Sequence, residues 1–283
     1  MTTTQDLIES TADPASILGA TLRGLGSGLQ VRHIATFEIK HCTPDARVAD
    51  VGGDPDLSAF DYVPVIQEGR YLGVLHRLEA ATEGTVEAEM EPFHQGMLVA
   101  ADMPILEFMG EMGDMPYRLV VDGTRINGFV TRSDLLKLPV RVCVFALITH
   151  LEMVMSDLIS TAYPKEDAWF GILTPGCAEN VEKRMDGLKK DKLDRSLLSC
   201  TEFCDKRDII LAHLKVNAPV GPEVKRFKRS LESIEDVRNA LAHAVEYAQN
   251  LEKLAIFLAT VKEAQLQIIF LEARIRQLNS APS

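Results

Sequence analysis

The sequence predicts an α+β N-terminal half built on a duplicated strand–turn–strand–helix unit, followed by an all-helical C-terminal half. Three observations carry this. The segment VPVIQEGRYLGVLHRLE (63–79) recurs in outline as RLVVDGTRINGFVTRSD (118–134), an internal repeat of about 55 residues. Strand signals stop at Pro139, after which apolar residues recur at helical spacing. Charge divides at the same place. Residues 1–140 hold 10 Lys+Arg against 21 Asp+Glu, a balance of −11, whereas residues 141–283 hold 20 against 20.

With 283 residues and roughly 100–200 residues per domain, two domains are expected. A hydrophobic content of 46% with 25% charged residues excludes wholesale disorder. No run approaches the ~18–20 uninterrupted apolar residues of a bilayer span, so no membrane is expected. The opening MTTTQDLIESTADP has neither a positive nor an apolar signal region. Five cysteines without a CxxC pair argue against a disulfide framework and for a reducing, cytoplasmic setting.

Residues 1–33 read as a lead-in with a Gly-rich stretch, RGLGSGLQ. Over 34–137 the β-type runs YVPVI, YLGVL, YRLVV and INGFV are punctuated by the turns QEGR and DGTR. The acidic TEGTVEAEMEPFHQG between the copies reads as a loop. Pro139 suits the first turn of a helix running through VRVCVFALITHLEMVMSDLIS. Helical patterns follow at about 177–190, 191–214, 230–248 and 250–278. In the last, Leu254, Phe257, Val261, Ala264, Ile268, Leu271, Ile275 and Leu278 form a heptad seam, either a bundle core or a dimer contact.

The second copy ends in Gly128-Phe129-Val130-Thr131-Arg132-Ser133-Asp134. A carboxylate there can accept both vicinal hydroxyls of a ribose. A hydroxyl beside helix N-terminal N–H groups attracts an anion, and Arg132 can add a charge-assisted phosphate contact. Thr-x-x-Asp is equally a helix-capping pattern. On this motif and the duplication, residues 34–137 resemble a tandem CBS-domain pair. The resemblance implies paired β-α-β-β-α units with adenine nucleotide (AMP, ADP or ATP) in the cleft as a regulatory ligand, Asp134 on the ribose and Thr131 on phosphate. The first copy departs from the pattern, with His76 and Glu79 at the aligned positions. One nucleotide per chain is therefore expected, held mainly by the second motif.

In the helical half, Glu235-Asp236-Val237-Arg238-Asn239-Ala240-Leu241-Ala242-His243 places four residues between an Arg and a His. Positions five apart on a helix point about 140° apart, so two such helices across a two-fold axis suit one phosphate better than one straight helix. On this segment, residues 138–283 resemble the HEPN family of helical toxin and defence proteins. The resemblance implies a homodimeric, metal-independent endoribonuclease with an antitoxin as a further partner. Arg238 would hold the scissile phosphate, Asn239 would orient, and His243 would act as acid or base. Arg238 paired with Glu235 in a structural role is the alternative. The helical half would then be a dimerisation or partner-binding platform for a non-catalytic sensor.

Lys225, Arg226, Lys228 and Arg229, with Lys189, Lys190, Lys192 and Arg195, form basic clusters that suit an RNA-facing surface or a solvated face. No metal-ligand spacing, GxGxxG or P-loop occurs. Met97, Met103, Met109, Met112 and Met115 read as packing residues.

Overall fold

The computed structural model describes Gly24 and residues 28–280, apart from Thr82, Asp114, 191–195, 218–221 and 242–250; of Lys190, Asn217, Pro222, Glu223 and Leu251 it describes the backbone alone. The chain divides into two units, Gly24–Val140 and the helical unit that begins at Arg141. In the first, a helix α1 (Val48–Gly53) precedes the hairpin β1 (Tyr62–Gln67) and β2 (Arg70–His76). Then come α2 (Val86–Glu89), β3 (Glu91–Pro92), β4 (Leu98–Ala100), α3 (Ile105–Glu111) and the hairpin β5 (Tyr117–Asp122) and β6 (Arg125–Thr131). A 3-10 turn, Arg132–Leu136, closes it.

The two hairpins superpose in register at an offset of 55 residues. Tyr62 faces His76 as Tyr117 faces Thr131, and each hairpin has its bulge at the same place, after Val65 and after Val120. Glu68 (φ 50°) and Gly69 (φ 77°) both take left-handed backbone, the geometry of a two-residue turn whose twist matches its strands. Gly123 (φ 62°) serves the second turn.

The same offset governs what precedes each hairpin. Thr36 pairs antiparallel with Phe129 of β6, while Glu91, 55 residues later, pairs antiparallel with Val74 of β2. Each repeat thus lends its leading arm to the sheet of the other. The exchange explains two glycines. A Cβ on Gly73 would lie 2.2 Å from the Glu91 carbonyl oxygen, and one on Gly128 would lie 2.9 Å from the Val120 Cβ and 3.2 Å from the Phe37 ring. The exchange also draws the end of the sequence-predicted lead-in into the fold, since Val31 and Ile34 are fully buried. The segment between the copies is not the plain loop expected but holds α2 and β3, because its backbone completes the first sheet.

The repeats differ at their first strand. In the second copy β4 runs parallel to β5 over three residue pairs; in the first, Cys42 alone bridges Val65. The methionines fill the unit as expected, with Met97, Met109 and Met112 buried.

The helical unit comprises most of α4 (Leu138–Ala162), then α5 (Glu166–Phe170), α6 (Pro175–Lys190), α7 (Phe203–Asn217), α8 (Pro222–Ala240) and α9 (Leu251–Ser280). Pro139, Pro175 and Pro222 each lie in a first turn, where the missing N–H costs nothing. The pattern expected over 191–214 is a 3-10 turn at Leu197–Cys200 followed by α7, and α8 starts eight residues earlier than periodicity suggested. Residues with weak apolar signal but a proline start account for that difference.

Core stripes are regular. Val140, Val144, Leu147, Leu151, Met155 and Leu158 of α4 are buried, as are Phe227, Leu231, Ile234 and Val237 of α8. The α9 seam is buried inside the chain from Leu254 through Leu271, which makes that stretch bundle core rather than an open dimer contact. The sequence-based expectation about apolar runs needs revision, because α4 and Glu252–Ser280 of α9 are long and apolar enough, by length and composition, to cross a membrane. Half of the apolar window of α4 and 44% of that of α9 are buried within the protein.

Two outcomes follow from packing and burial. Gly73→Ala should lose about 1–3 kcal/mol in urea denaturation through overpacking. Gly110→Ala, in α3 with nothing within 4 Å of the new Cβ, should be neutral or stabilising. Burial lowers the proton affinity of His150 and His213 below the ordinary imidazole value of 6.5. The unfolded chain therefore binds protons more readily than the native one. Stability present above pH 6.5 should be lost as pH falls, visible as a lower Tm at pH 6 than at pH 7.5. Asp157, Glu235 and Glu272, whose carboxyls burial pushes upward, oppose this trend only at lower pH.

Candidate functional site

The duplicated hairpins bring their motif ends to one place. Tyr62 and Tyr117, equivalent residues at the starts of β1 and β5, have ring centroids 5.0 Å apart. The His76 ring also stacks on Tyr62, at 4.5 Å and 16°. Tyr117 stacks on Phe129 at 5.5 Å. Burial raises the Tyr62 phenol above its ordinary range, with Glu79 raising it and Arg132 lowering it, so the charged groups of both motifs act on one ring. Tyr117 is buried and donates to Glu91 Oε2 at 2.6 Å. Burial first, then this carboxylate, keep the phenol protonated.

The second motif closes on itself. Asp134 Oδ2 accepts from the Thr131 backbone N–H at 2.6 Å and from Thr131 Oγ1 at 2.9 Å, while Thr131 Oγ1 meets Ser133 Oγ at 2.7 Å. This is the reciprocal cap that Thr-x-x-Asp also predicts. Asp134 Oδ1 pairs with Lys137 Nζ at 2.7 Å, and its side chain is 12% exposed. Lys137 also donates to the Ile34 carbonyl at 2.5 Å, tying the motif to the leading arm.

The first motif repeats the geometry with different chemistry. His76 Nδ1 lies 2.9 Å from Glu79 Oε2, three residues on as in the second copy, but Glu79 is 79% exposed. Arg77, equivalent to Arg132, donates to the carbonyls of Phe60 and Ser58 and so holds the chain ahead of β1. Thr131, Arg132, Asp134, His76 and Glu79 thus lie around the tyrosine pair. The sequence reading did not include Tyr62, Tyr117, Glu91 or Lys137. The two tyrosines were detectable, since extending the repeat by one residue aligns Tyr62 with Tyr117.

In the helical unit Arg238 is 39% exposed, and its Nη2 lies 3.7 Å from Glu152 Oε2 of α4. Glu235, the partner of Arg238 in the alternative structural reading, accepts from Arg207 at 2.8 Å. Glu152 also takes the buried Lys206, whose Nζ is 3.1 Å away and donates to the Thr201 carbonyl. Asn239 is exposed beside Arg238. His243 lies outside the described residues, as do Lys192 and Arg195. Just before it, the Leu241 carbonyl accepts both Arg141 Nε (3.0 Å) and Nη2 (2.6 Å), a cation at a helix C-terminus. Lys225, Arg226, Lys228 and Arg229 are exposed on α8, with Lys228 3.5 Å from Glu232 and Arg226 3.9 Å from Glu263. Among the described residues no group of three or more His, Cys, Asp or Glu is placed to hold a metal. Burial pushes the Cys143 thiol up to about 11, the behaviour of a core cysteine rather than a nucleophile.

The first unit is thus a duplicated α/β module with exchanged arms and two motif ends meeting at one tyrosine pair. Residues 97–141 match the CBS domain family model, so the second repeat is a CBS domain. No curated protein matches the chain. Among solved structures, the CBS domain of a bacterial CNNM/CorC family Mg2+ transporter in complex with ATP is similar at 20% identity, over 43% of this chain and 93% of that one, with a TM-score of 0.36. A hexameric CBS-CP12 protein from bloom-forming cyanobacteria is similar at 12% identity, over 76% and 98%, with a TM-score of 0.34.

The two motifs differ in what their carboxylates support. Asp134→Ala removes a cap and strands Lys137, and should cost about 1–3 kcal/mol in chemical denaturation. Glu79→Ala, at an exposed pair, should stay within about 0.5 kcal/mol of wild type.

Proposed function

We propose that this chain is an adenine-nucleotide sensor whose helical unit is the effector. The observation that supports the reading best is the convergence of both motif ends on the Tyr62–Tyr117 pair. The partly exposed rings of Tyr62 and His76, with an arginine, hydroxyls and carboxylates on the same motif ends, have the complement a nucleoside phosphate requires: stacking for the base, acceptors for the ribose, a cation for the phosphate. Thr131, Arg132 and Asp134 form the principal set, and His76 and Glu79 the weaker one. With an acidic unit around it, a nucleoside monophosphate or a cation-bridged polyphosphate suits the cleft best.

The effector reading is a metal-independent endoribonuclease that acts as a homodimer, with an antitoxin as a further partner. Arg238 stabilises the phosphate, Asn239 orients it, and His243 moves the proton between the 2′-OH and the leaving oxygen, leaving a 2′,3′-cyclic phosphate. A half-exposed Arg238 beside an exposed Asn239, on a helix with exposed Lys225, Arg226, Lys228 and Arg229, supports it. The ion pair of Arg238 with Glu152 favours a second reading, in which that arginine joins α4 to α8 and the helical unit binds a partner without cutting.

Calorimetry with AMP, ADP and ATP should give saturable binding to wild type, weakened at least about tenfold in Asp134→Asn. Absence of binding to wild type overturns the sensor. An RNA cleavage assay should show activity lost in both Arg238→Ala and His243→Ala. Equal activity in all three proteins overturns the nuclease and leaves the partner-binding reading.

A further inference from the structure

We infer that Lys137 is a built-in competitor for the ribose site, an internal cation that occupies the Asp134 carboxylate until a nucleoside displaces it. The inference rests on the sensor reading and names how that site is gated. Asp134 has two oxygens, both engaged. Oδ2 serves the Thr131 cap, and Oδ1 is taken by Lys137 Nζ at 2.7 Å. A ribose that uses this carboxylate must take Oδ1, since Oδ2 is committed to the fold of the turn. The displaced ammonium has somewhere to go. Its side chain is 42% exposed, so it can regain water where a buried lysine could not. Thr82 stands at the corresponding sequence position of the first copy, so that motif carries no such cation.

Displacement has a mechanical correlate. Lys137 also holds the Ile34 carbonyl, two residues before the Thr36–Phe129 pairing, and it immediately precedes α4. Releasing it removes one tie on the exchanged arm, which the Thr36–Phe129 backbone pairing still holds, at the residue next to the start of α4. A ligand shifts such an equilibrium only through differential affinity, and here the differential contact is the carboxylate itself, available in one state and occupied in the other.

The test uses the full chain at pH 8 and calorimetry with adenosine and 2′,3′-dideoxyadenosine, which lack phosphate and so remove any direct lysine–phosphate attraction. Lys137→Met should bind adenosine at least about fivefold more tightly than wild type and should bind the dideoxy analogue equally well. In Asp134→Asn the adenosine advantage of Lys137→Met should vanish. Lys137→Gln keeps the reach of the side chain without its charge and should give the same direction, which preserves the test if the Met variant folds poorly. Adenosine binding that is unchanged or weaker in the lysine variants, with wild type binding normally, overturns the gate and leaves the sensor standing. No adenosine or AMP binding by wild type overturns both.

Discussion

The N-terminal unit depends on one constraint, the reciprocal donation of an arm from each repeat to the other's sheet. Thr36 on Phe129 and Glu91 on Val74 leave neither hairpin with its own edge complete. An unpaired strand edge is a ready template for another chain, and each repeat here covers part of the other's edge. The close approach this requires explains why Gly73 and Gly128 bear no side chain. It also brings Tyr62 and Tyr117 into contact, which puts two motif ends around one pair of rings. Duplication alone would produce two modules; exchange makes them one.

The repeat and its period were legible because turns and alternating apolar residues leave a local record. A shift of 55 residues maps β1 on β5 and β2 on β6 without a gap. The helical core stripes were legible for the same reason. What escaped was non-local. Lys137 meets Ile34 across more than a hundred residues, and nothing near either predicts it. Glu152 sits in the middle of a largely apolar helix, and its pairing with Arg238 and Lys206 depends on how three helices pack. The alternative structural reading paired Arg238 with Glu235, whereas Glu235 meets Arg207 and Arg238 lies nearer Glu152.

The Thr-x-x-Asp motif shows why capping and ligand binding are hard to separate by pattern. The geometry that lets a carboxylate cap the Thr131 N–H also aims its second oxygen outward at fixed range. One arrangement therefore serves both purposes, and the partner on the free oxygen decides between them. Here that partner is Lys137. In the first copy His76, the counterpart of Thr131, pairs with the Glu79 carboxylate and stacks on Tyr62. The two equivalent turns thus satisfy their carboxylates with different partners.

The lone bridge at Cys42 has a consequence for how the first unit comes apart. The second repeat anchors its opening strand through three residue pairs, whereas the first relies on one. Local opening follows the weakest backbone ladder, so protection against solvent deuterium should be lower along 39–46 than along β4. Such an opening would break the Cys42 backbone bonds to Pro64 and Ile66 and leave the three-pair β4–β5 ladder intact. The two copies of the repeat thus differ in how firmly their opening strands are held.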